Sequence, residues 1–264
     1  MTSPDVVGEL CEQGLAAEMA GRVDEAALHY ERAWNDAESS FDRCLAAHYC
    51  ARTAPTAEER LRWTRVSVEF SSEIAEAGND ERIYSLLPAL QIAHAAALLT
   101  NGDKSAARNA YLRAADSVYL LHGRSADAMV LHSTIYEGLS ATGFVPQGAS
   151  REFFELVESL KTGDAWGPLA VVLSAFVQNS GTDEAVAHFA ITLRELYATG
   201  LLNPTDQKLL RDAVGAAQKQ MQADSARIED AAPSQDPGDV SSAQPIRDDA
   251  DPFGADSPNV AFRI

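Results

Sequence analysis

Apolar side chains recur along this chain at spacings of three and four. Trp63, Val66, Phe70, Ile74 and Ala77 fall on one side of a helix, and so do Val186, Phe189, Leu193, Leu196 and Tyr197. No strand-like alternation persists, and glycine and proline fall between alanine-rich segments. The pattern predicts eleven helices, at about 5–20, 23–38, 40–53, 56–77, 81–100, 103–122, 125–142, 150–162, 165–179, 183–199 and 205–223. Thr56, Ser125 and Thr182 each precede a helix start and can cap it, while Gly143 and Gly200 stand as stop residues. Pro88 predicts that the fifth helix begins near Leu86 or is kinked there, because proline removes a hydrogen bond and crowds the preceding turn. The Gly143–Gly148 stretch, with Val145-Pro146-Gln147 inside it, predicts a change of direction between two halves.

Three glycine-centred turns repeat. Gly21-Arg22-Val23-Asp24-Glu25-Ala26 is followed by Tyr30 and Ala33. Gly102-Asp103-Lys104-Ser105-Ala106-Ala107 is followed by Tyr111 and Ala114 in the same register. Gly181-Thr182-Asp183-Glu184-Ala185 is a fainter copy, one residue shorter, with Phe189 in the aromatic place. The glycines lie 81 and 79 residues apart, which divides as two repeats of about 40 residues. Small residues on either side of an aromatic let a neighbouring helix approach closely, and the aromatic fills the gap.

The segment from about Leu10 to Trp34 resembles a tetratricopeptide repeat: Gly14 in the first helix, then Gly21, Ala26, Tyr30 and Ala33. Gln91 to Ala115 is similar through Ala95, Gly102, Ala107, Tyr111 and Ala114, whereas Phe41 to Ala77 departs, with Ala54-Pro55-Thr56 at its turn. The resemblance implies an all-α fold, an α-solenoid of antiparallel hairpins with a concave face that binds peptides. Carried onto this chain, that face would hold Cys11, Leu15, Glu18 and Met19, then Cys44, His48 and Arg52, then Ile92, Ala96 and Leu99. Leu15, Ala96 and Ile92 stand where the chaperone-binding branch carries lysine, arginine and asparagine. The implied ligand is therefore an amphipathic helix or extended apolar peptide with some positive charge, and no clamp for a terminal carboxylate is expected. A register error of two residues would instead place Leu15, Ile92 and Leu99 in the core.

Composition narrows the function. The net charge of −18 argues against a nucleic-acid surface, which needs a basic stripe. The N-terminal residues lack a basic and an apolar run, and Ile83–Asn101 is broken by Pro88, Gln91 and His94, so neither export nor a membrane span is expected. Three cysteines suggest reduced thiols in a cytoplasm, and an excess of arginine over lysine hints at a bacterial source. Arg43, Arg52, Arg60, Arg62 and Arg65 form the one basic concentration; interspersed Asp42, Glu58 and Glu59 make it partly self-neutralised and predict a solvated, salt-bridged face, with an anion site on Arg52 as the rival reading. Cys11, Cys44 and His48 are a zinc-ligand set in kind but not in spacing, so no metal, cofactor or catalytic residue is expected.

Residues 1–224 are thus expected to form a helical repeat domain and 225–264 an acidic, proline-rich, disordered tail. The tail carries eight acids against three arginines, yet also Phe253 and Phe262, which suggest a short anchor for a partner or for this chain's own groove. The expected function is a non-catalytic scaffold or adaptor whose partner is another protein. The alternative is a helical-repeat enzyme or ligand sensor, which would need a deep enclosed pocket around His48 and Arg52. Self-assembly through terminal hairpins is a third expectation, decided by mass in solution.

Overall fold

The computed structural model describes residues 5–118 and 126–231, and these form eleven α-helices with no strand among them. They are α1 (Val6–Met19), α2 (Val23–Asn35), α3 (Ser40–Thr53), α4 (Ala57–Ala77), α5 (Arg82–Thr100), α6 (Lys104–Val118), α7 (Ala126–Ala141), α8 (Arg151–Thr162), α9 (Trp166–Val177), α10 (Asp183–Thr199) and α11 (Pro204–Ala231). The caps are local chemistry. Thr56 accepts from the Glu59 amide at 3.1 Å and Thr182 from the Ala185 amide at 3.2 Å. Ser39 and Asp42 close a reciprocal capping box at the start of α3. Gly200 ends α10 in the left-handed conformation, and α5 runs unbroken through Pro88. Ser125 and residues 232–264 lie outside the described residues. α11 continues past its expected end at 223 into the segment assigned to the tail, because nothing between Met221 and Pro233 breaks a helix.

Two of the three expected turns are the same object. The Gly21 amide bonds the Glu18 carbonyl and the Arg22 amide the Ala17 carbonyl; Gly102 and Asp103 repeat this on Leu99 and Leu98. The third member of the set is Gly143, whose amide bonds Ser140 while Phe144 bonds Leu139. Gly181 differs: its amide bonds the Asn179 side chain at 3.3 Å. Its likeness to the other two is one of sequence, since a shorter turn closed by a side chain can carry the same glycine and cap.

Packing divides the chain. α1, α3, α5 and α7 touch one another in series, and α2, α4 and α6 each lie against two consecutive members of that row. This half is a two-layer stack of neighbouring helices. Its interfaces are small residues: Ala26, Ala33, Ala46, Ala47, Ala107 and Ala114 are fully buried. Tyr30 of α2 lies against Gly14 of α1, and Tyr111 of α6 against Gly138 of α7; a Cβ on either glycine would overlap the ring. The buried side of α4 is Thr64, Ser67, Ser71 and Ile74, whereas Trp63, Val66 and Phe70 are half-buried. The apolar stripe read from the sequence is therefore rotated from the true contact face. Ser67 takes that place by donating to the Cys44 carbonyl at 2.9 Å, which lets a small polar side chain sit in an interface.

The 142–150 connection does redirect the chain. α7 packs on α9, and α8, α9, α10 and α11 close a ring in which each touches the next and α11 returns to α8. The aromatic centre of the largest core lies here, with Phe153 stacked on Phe176 at 5.9 Å and edge-on to Phe189 at 5.2 Å. α5 alone among the described helices is long and apolar enough to cross a membrane by composition; in the fold it packs against α3, α4, α6 and α7.

Candidate functional site

A depression of about 390 Å³ lies where the C-terminal halves of α1, α3 and α5 meet the first turns of α4. Its lining is Glu18, His48, Ala51, Arg52, Arg60, Thr64, Ala93 and Ala96. Four of the residues expected on the concave face, Glu18, His48, Arg52 and Ala96, are thus brought together. The spacing of His48, Ala51 and Arg52 by three and four positions puts them on one side of α3, as it does Ala93 and Ala96 on α5 and Arg60 and Thr64 on α4.

The other expected residues are placed differently. Cys11 and Cys44 are core, 1% and 0% exposed, because their positions point between helices rather than along the row. Ile92 and Leu99 are half-buried against the main core, and Leu15 is half-buried on α1. Met19 is 83% exposed at the last turn of α1. Sequence reasoning did not place Ala51, Arg60, Thr64 or Ala93 at the site. Arg60 and Thr64 are one helical turn apart on α4, a usable signal only once α4 is known to reach the inner row.

Glu18 is the electrostatic centre. Arg52 grips it with two bonds, Nε to Oε2 at 2.9 Å and Nη2 to Oε1 at 2.7 Å, and Tyr30 donates its hydroxyl at 3.0 Å. The Arg52 hydrogen bond holds the Glu18 carboxyl below its usual range, and burial followed by the Glu18 bond pushes the Tyr30 hydroxyl up. His48 lies beside this pair with Nδ1 enclosed and unpartnered. Burial, then the Arg52 charge, lowers it to about 4, so it is neutral at physiological pH. Further along, Thr64 Oγ1 meets His94 Nδ1 at 3.1 Å, and burial, then Arg113 and Arg65, lower His94 as well.

The arginine concentration is solvent-exposed as expected, but among the described residues it does not form the expected ion pairs with Asp42, Glu58 and Glu59. Arg52 pairs with Glu18 and not with Asp42, Glu58 or Glu59. Arg43 lies over Trp34 at 5.9 Å and Arg62 over Trp63 at 5.2 Å, while Arg60 has no ion pair among the described residues. Asp42 and Glu59 are taken up in helix caps, which is why they are not available to the arginines.

A larger depression, about 630 Å³, is lined by Val145, Ala149, Ser150, Arg151, Phe154, Glu155 and Glu158. Arg151 there pairs with Glu155 on the same helix at 2.7 Å, and none of the expected site residues takes part. Cys11, Cys44 and Cys50 are buried free thiols, pushed up to about 12, 11 and 12, chiefly by burial. No three histidine, cysteine or carboxylate side chains gather to hold a metal ion among the described residues. Comparison with protein-family models, with curated proteins and with solved structures finds no match for this chain.

Proposed function

We propose that this chain is a tetratricopeptide-like, non-catalytic interaction scaffold that captures a peptide segment of a partner protein across the inner row of α1, α3 and α5. The observation that carries this reading is the depression itself. Three consecutive inner helices contribute to it in series, and the small side chains of Ala51, Ala93 and Ala96 in its lining leave room for a backbone to lie close. A preformed face of packed helices loses little entropy on binding, so modest contacts suffice. The charge of the ligand differs from the sequence expectation. Glu18 is occupied by Arg52 and Tyr30, while Arg60 has no ion pair among the described residues, so the peptide carries acidic rather than basic side chains. The rival small-molecule reading calls for enclosure, whereas Arg52, Arg60 and Ala96 all stand exposed at the rim.

Selection of a phage-displayed peptide library against the full chain tests this. Enriched peptides should be acidic and bind in the micromolar range, and both Ala96→Trp, which fills the depression, and Arg60→Glu should weaken them about tenfold or more. Peptides insensitive to both substitutions would overturn the proposal.

A further inference from the structure

Four guanidinium groups, those of Arg52, Arg60, Arg65 and Arg113, border the depression and the adjoining His94 seam. Among the described residues only Arg52 has a carboxylate partner, Glu18, bonded through its Nε and Nη2. The chain also holds a matching segment: Asp248-Asp249-Ala250-Asp251-Pro252-Phe253, three carboxylates followed by an aromatic, in the region beyond the described residues.

The chain beyond α11 is long enough to cross several helix widths. From Ala231 at the end of α11, the 17 residue steps to Asp248 span at most about 55–60 Å when extended. The packing path from α11 through α10, α9 and α7 to α5 crosses four helix contacts, about 32–40 Å at the usual interaxial distance.

We propose that Asp248–Phe253 docks intramolecularly on the Arg52–Arg60 depression, its aspartates pairing first with the exposed Arg60 guanidinium. This rests on the peptide-binding reading above and adds to it: the chain supplies its own competing ligand, which a partner peptide must displace. Arg52 and Arg60 stand at the rim, so the contact is screened by salt.

The test uses the full chain with Arg60→Lys, which keeps the charge and introduces an amine, treated with a carbodiimide that joins amines to carboxylates at zero length. Mass analysis should find position 60 joined within one chain to Asp248, Asp249 or Asp251. The yield should fall about tenfold in 0.5 M salt, and to background when all three aspartates are changed to asparagine. Position 60 joined only to Glu18, Glu58 or Glu59 would overturn the proposal, as would joining only between two copies. Library peptides that depend on Arg60, without any tail crosslink, would sink the intramolecular contact and leave the scaffold reading standing. A tail crosslink with peptides indifferent to Arg60 and Ala96 would sink the scaffold reading instead.

Discussion

Gly14→Ala and Gly215→Ala are the same chemical change in two helices of this chain, and the structure gives them opposite signs. At Gly14 a Cβ would overlap Cε1, Cδ1 and Cζ of Tyr30. That ring cannot retreat easily: it is 0% exposed, 5.2 Å from the Tyr49 ring, and its hydroxyl is held by Glu18. Helix propensity favours alanine by about 1 kcal/mol. Overpacking costs about 1–3 kcal/mol, and losing the bond to the Glu18 carboxylate costs about 1.5–3 kcal/mol. The net is a loss of about 1.5–5 kcal/mol. At Gly215 in α11 nothing lies within 4 Å of the added Cβ, so only the propensity remains and the helix gains about 1 kcal/mol. Urea unfolding reads both. Fluorescence of the Trp34–Trp63 pair, 5.0 Å apart, follows the first half, and Trp166 on α9 with far-ultraviolet dichroism follows the second. Gly14→Ala should lower the urea midpoint by about 1 M or more, and Tyr30→Leu in the same chain should restore part of it. A Gly14→Ala chain at least as stable as the parent, or the same sign at both sites, would refute the reasoning.

Two further outcomes follow from buried titratable groups. His48 is lowered to about 4, so the unfolded chain takes up a proton that the folded chain resists between its ordinary value of 6.5 and 4. Stability is therefore present at pH 7 and is lost as pH falls, by about 2 kcal/mol at pH 5; the difference in the free energy of urea unfolding between pH 7 and 5 should shrink by that amount in His48→Leu. The thiols of Cys11, Cys44 and Cys50 are buried and raised, hence protonated and shielded, so a disulfide reagent at pH 8 should leave the native chain almost unmodified and react with three thiols per chain in guanidinium.

Much of the architecture was legible because its causes are local. Capping by Thr56 and Thr182, the left-handed glycines at 21, 102 and 200, and the Ala26-Tyr30-Ala33 triplet each act within a few residues, so eleven helices could be placed by inspection. The Gly181 copy shows the limit of that method, since likeness of residues did not carry likeness of hydrogen bonding. The site was half legible. His48, Ala51 and Arg52 share a helix face by spacing, but Glu18 reaches Arg52 across 34 residues and Arg60 arrives from α4, on which no site residue was expected. The face of α4 was misread because its apolar residues are large while its closest contact demands small ones.

By itself the sequence determined the helical class, the helix ends and the turn chemistry, because propensity and capping are settled within a helical turn. Only the tertiary structure decided that the stack gives way at α8 to a closed ring, that Cys11 and Cys44 face inward, and that Glu18 is consumed by Arg52 and Tyr30 while Arg60 finds no ion pair among the described residues. Those outcomes depend on which helix faces meet and how closely. Spacing along one helix gives the angle between side chains but not the neighbour that covers them.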